Sequence, residues 1–449
     1  MCRFGKQRYL SQCIVDWGLP KRNYTRDSGE LMKKHEWLLP GLLTLLVLFC
    51  NGQSAAQSSG HLRIKSFSVS ATNEKLSYPS TLSNIPDEHT TFIPIRPSAT
   101  GSPRYLVFAS GKIKGGLGGA VVLETLDLQN FFFATADGYA DQVMSPPIAF
   151  TLCDSLYDSE FDENYAAPGS VVQDPTLPPG NLIMIYEAEN HCPGGVWQQH
   201  FYATTGFAKS LDFGRTWPAP IDSEFGGPPR HPVLKGPVPE PPEPTEVALG
   251  DAIPSAFVDR NAAGEFYLYV IYNYAAGIHS DGFLRIARAR LGSNQPNQSK
   301  FLKFYNGAFS QPGVAGLDSP FLSPLGCLGA QHMGAITYND DLRLYLLTFM
   351  CNTSAVDGYA SWYYSTATSL DLQDWTVPRM ILNSRHKITA PCSSDGTGSQ
   401  FDGFYPSFMS PEAAAGHTKL TGLAYFLNGC DTGLPRIFAA RTFTITPMQ

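Results

Sequence analysis

Five stretches of this chain follow one order: a short extended segment, an aromatic-rich strand, then a further strand. "QDPTLPPGNLIMIYEAEN" leads to "QQHFYATTGFAKSLDFGRTW", and "AIPSAFVDRNAAGEFYLYVIYNY" leads to "GFLRIARARL". "AQHMGAITYNDDLRLYLLTFMC" leads to "SWYYSTATSLDLQDW", and "FYPSFMSPEAAAGHTKLTGLAYFLNG" leads to "PRIFAARTFTI". A weaker first copy joins "HTTFIPIRPSATGSPRYLVFAS" to "AVVLETLDLQNFFFATADG". Aligning Thr91, Pro175, Pro254, Met333 and Pro406 gives spacings of 84, 79, 79 and 73 residues. One such unit cannot bury its own apolar faces, so a repeat of this length calls for copies packed on one another. Four strands per copy are the signature of sheets arranged radially about an axis. The expected fold is therefore all-β, a five-bladed β-propeller of four-stranded antiparallel blades. The strand near "HLRIKSFSVS" would complete the last blade and close the ring. A two-sheet sandwich explains neither the period nor the recurring Ser-x-Asp turns.

The turns themselves are legible. In "SLDFGRTW", Ser210 to Trp217, Asp212 can accept backbone N–H groups, while Gly214 supplies a positive φ. Thr216 is read as restarting an extended strand, and Trp217 as burying its ring beneath the turn. The 41 Gly and 35 Pro fit many such turns. The Pro-rich run from Gly226 to Val247 holds too many prolines for an inner strand and is read as a surface excursion near the central cleft.

The N-terminal part differs from the rest. "MKKHEWLLPGLLTLLVLFCNGQSAAQ" begins at Met32 with two lysines, runs apolar from Trp37 to Cys50 and ends in Ser54, Ala55 and Ala56. That is the three-part pattern of a secretory signal peptide. Its 14-residue apolar run is short of the roughly 20 residues that a spanning helix needs. Residues 1–31 are read as an upstream mis-start, 32–56 as the signal peptide and 57–449 as a single β-propeller domain. A secreted or periplasmic location follows, with no stable membrane span after cleavage.

Removing residues 1–56 leaves 32 − 8 = 24 basic and 39 − 4 = 35 acidic residues, a net charge of −11. Such a balance excludes nucleic acid, whose phosphates demand basic patches. Cys153, Cys192, Cys327, Cys351, Cys392 and Cys430 remain, an even number in an oxidising compartment, so disulfides are expected. Of the 15 connectivities, the simplest joins sequence neighbours: Cys153–Cys192, Cys327–Cys351 and Cys392–Cys430.

With these turns and repeats in view, the chain resembles two related groups. "SLDFGRTW" is similar to the Asp-box of sialidases. "SLDLQDW", Ser369 to Trp375, is similar to a turn of five-bladed glycoside hydrolases of the arabinanase and β-xylosidase type. The resemblance spans about residues 61–446. It implies three carboxylates around a central funnel: a base, an acid, and a third that orients substrate and tunes the acid. Hydrolysis needs two opposed carboxyl groups, one to protonate the leaving oxygen and one to activate water or attack the sugar.

On that basis Asp174 in "VVQDPTL" is placed at the start of the second inner strand as the orienting group. Asp251 in "GDAIPS" takes the acid's place in the third blade. Asp87, with Glu88 beside it in "IPDEHTTF", is nearest to the base position in the first. His332 and Tyr405 are expected as substrate contacts on the fourth and fifth inner strands. Glu187 and Glu189, beside His191, and Asp402 complete the proposed funnel. The substrate implied is a carbohydrate, with the oligomeric state open. The His and Cys spacing is not that of a zinc site, and no cofactor is required; an axial calcium is conceivable without support in the sequence. Two alternatives stay open. One is a sialidase-type enzyme, which needs clustered arginines to grip a carboxylate and here has Arg96 in "FIPIRP". The other is a propeller that binds glycan or protein without turnover.

Overall fold

A computed structural model describes residues 63–83, 85–95, 103–113, 118–146, 161–192, 201–217, 230–236, 248–276, 282–292, 300–352, 360–371, 373–383, 402–428 and 437–448. All lie within one compact unit, His61–Gln449. The segment read as a signal peptide, Arg96, and Cys153, Cys392 and Cys430 fall outside the described residues.

The architecture is all-β, with curled sheets and a short 3-10 turn at Ala134–Asp137. The strands form successive antiparallel meanders. The first runs Thr91–Ile95, Arg104–Ile113 and Gly118–Thr125, with the short Phe132–Phe133 and Gln142–Met144 pairing on the last. The second runs Tyr165–Gln173, Leu182–Asn190, Phe201–Ser210 and His231–Leu234. In the third, Ala248–Arg260, Phe266–Ala276 and Leu284–Arg290 are followed by Leu302–Tyr305 and Ala308–Pro312. The fourth runs Ala330–Asn339, Leu344–Asn352, Ala360–Ala367 and Arg379–Leu382. Asp402–Met409, Thr421–Asn428 and Ile437–Pro447 form the fifth, whose outer strand is Ile64–Val69 from the opposite end of the unit.

Strands such as "LIMIY" are apolar at consecutive positions because both faces of each meander are covered. Met184 and Tyr186 pack on Phe108 and Val122 of the first meander, while Ile183 and Ile185 pack on Leu268 and Val270 of the third. Phe257 and Ile271 meet Leu347 and Phe349; Trp362 and Leu346 meet Phe408 and Phe426; Tyr425 and Phe438 meet Val107 and Val121. Each meander thus shares one core with the meander before it and one with the meander after, and the fifth shares one with the first.

Some local expectations change. The second and third meanders join into one hydrogen-bonded sheet, because Phe201–Ala203 pairs in parallel with Ala248–Gly250. Gly250 makes that contact sterically accessible: its φ is +113° and a Cβ there would lie 2.1 Å from the Ala203 carbonyl oxygen. Part of the Pro-rich run, His231–Leu234, is an outer strand rather than a surface excursion. In the turn after Ser210, Thr216 donates to Asp212 from its N–H (3.0 Å) and hydroxyl (2.7 Å), and Trp217 Nε1 donates to the Gly214 carbonyl at 3.0 Å. Thr216 nonetheless lies outside any strand, because the turn closes on itself after the strand that ends at Ser210. Trp217 is buried against Phe108.

Cys327 and Cys351 form a disulfide as the neighbour pairing expected. Cys192 is disulfide-bonded as well. Among the described residues no helix is long and apolar enough to cross a membrane.

Candidate active site

The leading strands of the second to fifth meanders are irregular near their starts, whereas Thr91–Ile95 pairs without a break. Register shifts fall between Pro168 and Ser170, Ala252 and Ser255, His332 and Ala335, and Phe404 and Ser407. Three residues in these bulges take left-handed φ values although none is glycine: Ile253 (+52°), Met333 (+53°) and Tyr405 (+56°). A β-branched residue such as Ile253 is strained there, and such strain persists only where the surroundings hold it. Hydrogen bonds from the neighbouring meander do so. The Ile253 N–H donates to Glu187 Oε2 at 3.0 Å, and the Met333 N–H donates to Asn273 Oδ1 at 3.0 Å. The Tyr405 N–H meets Met333 Sδ at 3.4 Å.

At this end of the leading strands three glutamates converge. Glu88 precedes the first leading strand; Glu187 and Glu189 lie near the end of Leu182–Asn190, two positions apart and so on the same face. Glu88 is 1% exposed. Burial pushes its carboxyl well above the usual range, and the charge and hydrogen bonding of Glu187 and the charge of Glu189 add to this. Burial and then the Glu187 charge likewise raise Glu189. Glu189 Oε2 lies 2.7 Å from His191 Nε2, and the His191 ring packs on Phe201 with centroids 4.6 Å apart. Tyr165 faces the same glutamates, its hydroxyl donating to the Asp87 carbonyl oxygen at 3.2 Å, and burial raises that phenol strongly. His89 stands edge-on to Tyr405, and burial lowers it to about 4. His332 sits beside its bulge, lowered to about 4 by burial.

Of the residues expected at the funnel, the structure brings Glu187 and Glu189 together with Glu88; Asp87, its neighbour, contributes its backbone carbonyl to Tyr165. Asp174 is a correction. It follows the end of its leading strand rather than opening it, roughly 30 Å of extended chain from Tyr165. There it forms a buried pair with Lys209 Nζ at 3.1 Å and accepts from the N–H and hydroxyl of the exposed Thr176. Asp251 is on the leading strand, as expected, but its side chain is committed elsewhere. Lys303 Nζ lies 2.7 Å from it, with Asp318 and Arg285 next in line, and burial raises it to about 6 despite Lys303. Asp402 opens the fifth leading strand.

His89 and Tyr165 were missed. A usable signal was present: "APGS", "IPS" and "YPS" recur just inside the second, third and fifth leading strands. Aligning on Gly169 instead of Pro175 puts Tyr165 beside the other bulges.

Matching by sequence finds neither a protein family nor a curated protein. Solved structures do match. The catalytic domain of a GH62 α-L-arabinofuranosidase of Coprinopsis cinerea is 13% identical, covering 86% of this chain and 98% of that one at a TM-score of 0.44. A family 117 glycoside hydrolase of Zobellia galactanivorans is 12% identical over 86% and 91%, at 0.43. The endo-1,5-α-L-arabinanase of Thermotoga petrophila is 11% identical over 83% and 76%, at 0.39. This chain is similar to glycoside hydrolases. The similarity is distant and is one of fold alone.

Proposed function

We propose that this protein is an exported five-bladed β-propeller that hydrolyses glycosidic bonds of a polysaccharide or oligosaccharide. The observation that carries the reading is the meeting of Glu88 with Glu187 and Glu189 at one end of the leading strands. Hydrolysis needs a carboxyl group that stays protonated near neutral pH and a second group basic enough to take a proton from water. Glu88, desolvated and beside the Glu187 charge, suits the acid. Glu189, oriented by His191, suits the base. Glu187, anchored by the Ile253 N–H, supplies the charge between them. Tyr165, Tyr405 and His332 are the neighbouring groups for sugar hydroxyls. The cyclic sharing of cores supports the five-bladed arrangement, and the disulfides suit an oxidising compartment.

The test is a panel of aryl arabinofuranosides, xylosides, galactosides and sialosides offered to the chain from Gln57, beside Glu88→Gln. Turnover of one glycoside that collapses in the variant establishes class and site together. The deep burial of Glu88 favours one rival, a propeller that holds glycan without cleaving it. Thermal stabilisation by a glycan with no turnover on the panel would select that rival.

A further inference from the structure

Beyond the bulges, the five leading strands enclose a cavity of about 270 Å³ that runs from His89 to the segment Ala413–His417. Its wall alternates apolar groups (Phe92, Val171, Ile336) with hydroxyls at equivalent places in the repeats: Thr91, Ser170, Ser255 and Ser407. The fourth repeat has Ala335 at that level. Several of these hydroxyls stitch one leading strand to the next. Val171 N–H donates to Thr91 Oγ1 at 3.1 Å, Ala256 N–H to Ser170 Oγ at 2.9 Å, and Thr90 N–H to Ser407 Oγ at 2.9 Å.

His89 heads this cavity and is 2% exposed. Neither ring nitrogen has a hydrogen-bond partner of good geometry among the protein groups, although the Pro406 carbonyl stands near. Buried polar groups are satisfied by protein or by ordered water, and a polar-walled cavity of this size has room for several molecules. A neutral imidazole donates from one nitrogen and accepts at the other, so it can hold one water and pass on the next. At the other end the His417 side chain is 32% exposed, which gives solvent a point of entry.

We infer that the axis holds a file of water, headed by His89, and that this file delivers the water consumed at Glu88, Glu187 and Glu189. The delivery step rests on the hydrolytic reading; the file itself does not. In that step the water oxygen bonds the anomeric carbon as the glycosidic C–O bond breaks. The water proton passes to Glu189, and the proton on Glu88 goes to the departing oxygen. A substrate seated over the carboxyls can then close the outer mouth without excluding its co-substrate.

Two measurements decide this. A high-resolution crystal structure should show ordered waters along the axis, one within hydrogen-bond distance of a His89 nitrogen. A cavity without such a water overturns the file, whatever the enzyme does. For delivery, Ala335→Leu and Ala256→Leu narrow the axis at two lining positions clear of the carboxyls, and Ala335→Ser restores the hydroxyl of the other repeats. Folding is verified by thermal melting, and either leucine variant suffices. With the aryl glycoside that is turned over, which is too small to close the outer mouth as a polymeric substrate would, added methanol competes for the same carbon from that side. Blocking the axis should lower kcat several-fold with little change in KM and raise the ratio of methanolysis to hydrolysis, while Ala335→Ser stays like wild type. An unchanged ratio in a folded leucine variant overturns delivery. Absence of any turnover removes delivery together with the hydrolytic reading and leaves the file to the crystallographic result.

Discussion

Glu88→Gln keeps the size of the side chain and removes its transferable proton. It should lower kcat/KM by about 10²–10⁴-fold with the melting temperature held, measured on the active aryl glycoside. The pH profile carries a sign. Glu88 must be protonated, so activity falls as pH rises through its raised pKa; Glu189 must be ionised, so activity falls as pH drops through its own. Both are raised, which places the bell above the usual carboxylate range, with apparent pKa values that belong to the cluster as a whole. Glu187→Gln separates charge from structure. Asn273 shows that an amide oxygen suffices to hold the next bulge N–H, so the variant should fold normally. With the Glu187 charge gone, both limbs of the bell should move to lower pH. The sequence showed carboxylates in both repeats that meet at this end but could not rank them. What distinguishes Asp174 and Asp251 from the glutamates is Lys209 and Lys303, each 35 or more residues away in sequence and visible only once the strands are paired.

At the level of strands and turns, legibility followed locality. The Ser210–Trp217 turn was readable because its hydrogen bonds span no more than four residues. Asp212→Ala removes three of them and should destabilise the protein by about 1–2 kcal/mol without touching kcat, seen as a lower melting temperature. "SLDLQDW" looked alike and behaves differently. Asp371 reaches across to Arg288 and Tyr269 of the third meander, while Asp374 caps the turn from the Thr368 N–H. The phase of the second repeat was misread because Asp-Pro at 174–175 and Pro-Gly-Ser at 168–170 both look like strand openings. Only pairing of Tyr165–Gln173 with Leu182–Asn190 decides between them. Lys303→Met tests the other long-range device: it strands Asp251 and Asp318 in the interior and should cost about 3–5 kcal/mol, read by chemical unfolding.

For the molecule as a whole, the repeat length and the apolar strands announced an all-β repeat fold, and the cores shared between successive meanders are its physical basis. The disulfide Cys327–Cys351 closes a separation of 24 residues. Replacing both cysteines by alanine should cost about 3 kcal/mol in urea unfolding, chiefly by freeing the unfolded chain.

The fifth meander is completed by Ile64–Val69 pairing with residues 443–447. Contacts this distant in sequence form slowly, because the intervening chain must be ordered first. Until the last strand has been made, the first has no partner and one sheet edge stays unsealed. A polypeptide organised in this way keeps its fifth sheet unlatched until its two most distant strands meet.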